Sequence, residues 1–269
     1  MTRGEGHTLD LVVGDGGLDP DALAWTRAPR RRCNLPARSL RAKRWNSWIV
    51  HDRRFLFAAG VADLGLVSRG HAVMIDLAAK VVVARAATSV GRRGCALGET
   101  EDAPARFRSR RLTFSSTHEG DTTSVLVTCE RFDEGERLSA AMRVAYPPGA
   151  EVFCFAAPLP DRGFHYASKH LALPAAGHVR VGSREYAFEG PQALATLDYG
   201  RGVWPRRAAW TWASASGWCG DELVGINLGR GWTDGGAATE NVVSVDGRLH
   251  HLDGPLAWTR RRPSSRGRG

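Results

Sequence analysis

Asp198, Arg201, Arg207, Asp234 and Glu240 share one stretch of chain with Trp204, Trp210, Trp212, Trp218 and Trp232, five of the nine tryptophans in the sequence. A guanidinium fork matches the two oxygens of a carboxylate, so the pair can clamp a ligand carboxylate or orient a catalytic acid. Asp198, Arg201 and Arg207, flanking the Trp204-Pro205 turn, supply those groups, and the same groups can equally lock a structural corner. A carboxylic acid enclosed by aromatic side chains has a raised pKa and can protonate an alkene or a leaving group. The surrounding rings then stabilise the developing positive charge. Glu240 and Asp234, close to the loop Asn227-Leu-Gly-Arg-Gly-Trp232, fit that description, although Glu240 and Asn241 can also serve by satisfying backbone groups at a strand end.

The residues expected to carry chemistry are therefore Asp198 and Glu240. Those expected to bind a ligand are Arg201, Trp204, Arg207, Trp210, Trp212, Asn227, Trp232 and Asp234. No metal is expected. His165 and His170 are five apart on a strand and so face opposite sides, and the neighbours His250 and His251 have the same defect. The sequence contains no GxGxxG, Walker loop, GxSxG elbow or HExxH, so no cofactor is expected and the common hydrolase nucleophiles are unsupported.

The elements that must hold these residues read as strands. Short β-type runs separated by turn signals recur at 45–51, 54–60, 71–77, 81–86, 108–115, 123–129, 138–146 and 151–157. They resume at 164–171, 178–181, 186–189, 208–216, 222–228, 241–245 and 248–252. Gly182-Ser183 and Asp246-Gly247 have hairpin composition. Residues 91–104 read as an exposed loop, and 192–197 as a short helical turn. Many short strands with regular turns mean an all-β sandwich or barrel. Two prolines and a glycine within 158–163 predict a domain junction there. The expected organisation is a loosely held arm over 1–32, a first β domain over 33–160, a second over 161–258 and a basic tail over 259–269. Alternation over 208–216 puts Trp210, Trp212, Ser214 and Ser216 on one face and small residues on the other, so the small face can line a cavity or simply let another sheet approach.

A formal charge of +9 raises nucleic-acid binding as a possibility. Yet only Lys43, Lys80 and Lys169 are lysine, and the arginines are scattered apart from Arg30–Arg32 and the C-terminal run, so no nucleic-acid partner is expected. Cys33, Cys95, Cys129, Cys154 and Cys219 are odd in number and lack any CxxC, which argues for reduced thiols in a cytoplasmic protein. The N-terminus lacks the pattern of a signal peptide. No window is long and apolar enough to span a membrane as a helix, so integral membrane association is not expected.

The succession Lys43-Arg-Trp45-Asn-Ser-Trp48, Lys169, Leu173-Pro174-Ala-Ala-Gly177, Asp198-Tyr-Gly-Arg201-Gly-Val-Trp204-Pro205, Trp210-Thr-Trp212-Ala-Ser214-Ala-Ser-Gly217, Asn227-Leu-Gly229-Arg-Gly231 and Thr239-Glu240-Asn241 resembles a large family of bacterial and protist proteins. That family is known only as a domain of unknown function. It is distantly similar to lipocalin-type (calycin) double barrels, a group that includes carotenoid 1,2-hydratases and tocopherol cyclases. The resemblance implies two antiparallel lipocalin-like barrels or sandwiches. Family members usually continue for several dozen residues beyond the Asp246-Gly247 hairpin, which implies that the second barrel here is incomplete and the chain truncated at its C-terminus.

Three functions follow as expectations. The first is binding of an apolar or amphipathic small molecule, with cofactor-free acid–base chemistry such as hydration, isomerisation or cyclisation. The second is glycan binding or processing on tryptophan platforms. The third is a non-catalytic interaction protein whose basic tail meets anionic partners.

Overall fold

A computed structural model describes residues 9–14, 16–29, 31–36, 39–231, 239–254 and 256–259. The described residues are almost wholly β. Five two-residue strands come first: β1 (Leu9–Asp10), β2 (Val12–Val13), β3 (Gly17–Leu18), β4 (Trp25–Thr26) and β5 (Arg31–Arg32). Then follow β6 (Ala42–His51), β7 (Phe55–Asp63), β8 (Val67–Asp76), β9 (Val81–Val90), β10 (Cys95–Leu97), β11 (Ala105–Arg108), β12 (Leu112–Glu119), β13 (Thr122–Asp133) and β14 (Glu136–Ala145). The remainder are β15 (Phe153–Leu159), β16 (Gly163–Val181), β17 (Arg184–Phe188), β18 (Leu194–Val203), β19 (Thr211–Cys219), β20 (Glu222–Arg230), β21 (Val242–Val245) and β22 (Arg248–His251).

One sheet of 14 strands dominates, in the order β10-β11-β12-β13-β14-β16-β18-β6-β7-β8-β9, with β15, β17 and β4 joined alongside. It curls on itself. The indole N–H of Trp48 on β6 reaches the hydroxyl of Ser116 on β12 at 3.1 Å across the interior. A Cβ at Gly70 on β8 would lie 2.3 Å from the ring of Phe107 on β11, so the two walls meet in close packing. The enclosed core is largely apolar, with Phe57, Val61, Phe107, Phe114, Phe132 and Phe188 among its buried members. Such a filled interior is the stabilising element of a small curled sheet, since apolar burial contributes roughly 25 cal/mol per Å².

The second sheet has four strands, β19-β20-β21-β22. Its contact with the first is a smaller cluster in which Phe153, Phe155, Ala157, Ala167 and Leu171 meet Val242 and Leu249. The Asp246-Gly247 turn has φ values of 48° and 77°, the left-handed pair of a tight hairpin, as its composition requires. Gly182-Ser183 likewise joins β16 to β17.

Residues 158–163, expected as a domain junction, form the turn of the β15–β16 hairpin, where Leu159 pairs with Gly163. The large sheet therefore runs straight through that position. The expected helical turn at 192–197 is the start of β18, paired with β16 on one side and β6 on the other. The described part of the expected arm is not loose throughout: Leu11 is fully buried, and Trp25 pairs with Phe155. Residues 260–269 of the expected tail lie outside the described residues.

Candidate functional site

β16 and β18 are central in the large sheet, so each has two covered faces and each face carries its own polar groups. A strand alternates sides at every residue. Phe164, Tyr166, Ser168 and His170 look into the curled core. His165, Ala167 and Lys169 look toward the four-stranded sheet.

On the outward side Lys169 is only 3% exposed. Its ammonium donates to Asp198 Oδ1 at 2.5 Å, the two residues being direct partners across β16 and β18. It also stands 5.1 Å above the ring of Trp212, which is carried by β19 of the other sheet. Burying an ammonium costs several kcal/mol unless it is paired; here a carboxylate and an indole face offset that cost. The row continues through register partners, from Asp198 to Ser47 on β6, to Gly60 on β7, to His71 on β8. Small residues between Asp198 and His71 leave the carboxylate 21% exposed. Burial, and then the Arg69 charge, hold the His71 imidazole below its ordinary pKa, while Asp198 opposes the shift.

Trp212 is fixed in turn. Its indole N–H donates to Asn227 Oδ1 at 2.8 Å, and Asn227 Nδ2 donates to the carbonyl of Glu240 at 2.7 Å. Asn241 Oδ1 accepts the backbone N–H of Gly229 at 2.7 Å. The Glu240 carboxylate is buried over Gly229, where a Cβ would come within 1.9 Å of it. The hydroxyls of Ser214 and Ser216, on the same face of β19 as Trp212, are buried and have no hydrogen-bond partner among the described residues. The bulky face of this strand is thus the one turned to the large sheet.

A second aromatic group adjoins the ion pair. Trp45 lies flat over Gly200, whose absent Cβ would be 1.9 Å from the ring. It stacks on His165 at 5.4 Å and meets Trp204 edge-on at 5.4 Å. Trp204 meets Trp210 edge-on at 5.2 Å. Burial, with the Lys169 charge second, drives the His165 imidazole well below its ordinary pKa, so it is neutral. Four tryptophans and a neutral histidine therefore stand on the same side of the large sheet as the ammonium–carboxylate pair.

The expected grouping of Asp198 with Arg201 and Arg207 is not made. Asp198 and Arg201 are three apart on one strand and so face opposite sides. Arg201, 1% exposed, spends its guanidinium on the carbonyls of Trp45, Gly200 and Gly98 and stacks 3.8 Å over Tyr199. It anchors the loop after β10. Arg207 is exposed, outside any strand. Trp232 and Asp234 lie outside the described residues. Lys169, Trp45, Ser47 and His71 join Asp198 only through sheet pairing, although Lys169 and Trp45 stand in the motif succession.

The inward face holds a different cluster, which the sequence reading missed by taking 91–104 for an exposed loop. Glu101, its side chain 6% exposed, accepts from the Tyr166 hydroxyl at 2.9 Å and meets His170 Nε2 at 3.2 Å. His170 Nε2 also lies 3.1 Å from Ser168 Oγ, and Cys154 Sγ lies 3.4 Å from the same hydroxyl. Burial pushes the Tyr166 phenol and the Cys154 thiol well above their ordinary ranges, keeping both protonated. This is not a nucleophilic triad, because serine and carboxylate share one ring nitrogen instead of using both. A narrow cleft lined by Trp48, Glu101, Ser116, His118, Tyr146 and His170 leads to it.

Together these features define an all-β protein of two principal antiparallel sheets, with two short strand pairs beside them and polar clusters back to back on its central strands. The chain belongs to the family described as a domain of unknown function, DUF2804, whose profile matches residues 5–263. No curated protein has a significantly similar sequence. Among solved structures, a protein from Nitrosomonas europaea assigned as AttH aligns over 78% of this chain and 67% of its own, at 11% identity and a TM-score of 0.40. Kievitone hydratase from Nectria haematococca aligns over 77% of this chain and 63% of its own, at 9% identity and a TM-score of 0.45. The chain thus spans about two thirds of the length of each.

Proposed function

We propose that this lipocalin-like protein binds an apolar or amphipathic small molecule in the region between its two sheets. The ligand's apolar body lies against Trp45, Trp204, Trp210 and Trp212, and its polar group meets Lys169 and Asp198. The observation that carries the reading is the buried Lys169 ammonium, held by Asp198 and capped by Trp212 from the other sheet. The hydroxyls of Ser214 and Ser216, unpartnered among the described residues, are further groups for a ligand oxygen, since a buried polar atom without a partner costs about 1–3 kcal/mol.

Chemistry at this place needs no cofactor. The partly exposed Asp198 carboxylate takes a proton from a bound ligand or from water, and Lys169 stabilises an oxyanion as it forms. Indole faces stabilise the opposite charge. Hydration, isomerisation and cyclisation all fit that set of groups.

Native mass spectrometry of gently purified protein, followed by thermal shifts across a panel of fatty acids and terpenoids, tests the reading. The expected result is a retained or added apolar ligand whose affinity falls about tenfold in Trp212→Leu. The paired variant Lys169→Met/Asp198→Asn should also weaken binding while leaving the fold intact, because it removes both charges together. A clean unliganded mass and no thermal shift with any member of the panel would sink it.

A further inference from the structure

We infer that a cleft formed by β9, β13 and the turn before β12, remote from the tryptophan region, is a binding site for phosphate-bearing compounds. The cleft measures about 510 Å³ and is lined by Arg85, Arg110, Arg111 and Arg131, with Ala86, Leu112, Cys129 and Glu130 completing it. That volume is in the range of small-molecule sites. Four arginines line it against a single acid, and that acid, Glu130, is already engaged by Arg137 at 3.1 Å. The guanidiniums of Arg110, Arg111 and Arg131 make no ion pair among the described residues. Like charges gathered without counter-charge repel one another, and a multivalent anion relieves that repulsion.

Three segments present these arginines, and they are tied together. Ser109 Oγ accepts the backbone N–H groups of Arg111 and Leu112 at 3.2 Å and 3.0 Å, fixing the turn before β12. The backbone N–H of Glu130 donates to the carbonyl of Arg111 at 2.8 Å, joining that turn to β13. Arg85 on β9 donates to the carbonyl of Arg131 at 3.4 Å. Arg131 itself has φ of 52°, within the register shift between Cys129 and Asp133. A bulge of this kind re-aims a side chain out of the normal alternation. The guanidinium-bearing backbones are therefore held in mutual position before any ligand arrives. The forked donors suit the tetrahedral oxygens of phosphate.

Isothermal titration of the full chain with inorganic phosphate and with pyrophosphate tests this site. Saturable binding is expected, tighter for pyrophosphate, and at least about tenfold weaker in Arg110→Gln/Arg111→Gln. Arg180→Gln, which removes an exposed arginine paired with Glu185, should leave it unchanged. Arg111→Lys should fall between, because it keeps the charge and loses the fork. An unaltered unfolding temperature without ligand confirms that the double variant is folded. Sedimentation with vesicles of phosphatidylcholine carrying phosphatidic acid, abolished in the double variant, would assign the phosphate to a lipid headgroup. Pyrophosphate binding without sedimentation would assign it to a soluble compound. Absence of saturable binding, or equal affinity in wild type, the double variant and Arg180→Gln, overturns the inference.

Discussion

His165 shows how a single side chain can be set by burial. It is enclosed by Trp45, Trp204 and Phe155, with ring centroids 5.4 Å, 5.8 Å and 5.6 Å away. Burial first, and the Lys169 charge second, hold its pKa well below the ordinary 6.5. The unfolded chain takes up a proton at this residue as the pH falls through about 6.5, while the folded protein does not. Protons then favour unfolding, so stability is lost as pH drops from there toward the lowered folded value. One such group contributes a slope approaching ~1.4 kcal/mol per pH unit. His165→Phe is expected to flatten the acid limb of the stability curve by about that amount. His51 and His71, also lowered chiefly by burial, leave a residual slope. Urea unfolding at several values between about pH 5 and 7 decides it, and equal slopes in both proteins would contradict the assignment.

At the scale of elements, the antiparallel pairing of β18 with β6 positions the candidate site. Gly200 lets Trp45 lie against the sheet, and Gly202 has the carbonyl of Phe164 where its Cβ would be, at 2.3 Å. These glycines also explain why β18 did not read as a strand, since glycine weakens strand propensity for reasons unconnected with what packs above it. Gly200→Ala should cost about 1–3 kcal/mol by overpacking, and should shift tryptophan emission as Trp45 is displaced. A variant as stable as wild type with an unchanged spectrum would show that Trp45 does not need that surface. β16 was legible as two pieces, 164–171 and 178–181, because Pro174 and Gly177 interrupt the pattern. It is one strand of 19 residues, with a register shift between His170 and Leu173 where Ala172 takes φ of 53°. That irregularity is tolerated because neighbouring strands hold both sides.

At the scale of the molecule, the two sheets differ in how they are secured. The large one encloses an extensive apolar core, whereas the β19–β22 sheet rests on a small cluster around Phe153, Phe155 and Leu249. Its β19 edge has no strand partner among the described residues, and Trp218 is 39% exposed there. Local opening should therefore begin in this sheet. Hydrogen exchange is expected to be faster at β19–β22 amides than at those of β6, β16 and β18. Ligand bound between the sheets should slow it. Uniform protection across both sheets would mean that they open as one unit.

The order of turns and alternating runs was sufficient to make this chain all-β and to locate the hairpins at Gly182-Ser183 and Asp246-Gly247, because period and turn chemistry are local properties. The same local reading drew attention to Asp198, Trp212 and Asn227, which are linked through Lys169 and the Trp212 indole, while Glu240 meets them only by its backbone carbonyl. It could not find Lys169 as their link, the separation of Asp198 from Arg201, or buried Glu101 in a polar loop. Those depend on which strands lie side by side and which face of each is covered, and sheet pairing between residues far apart in sequence decides both.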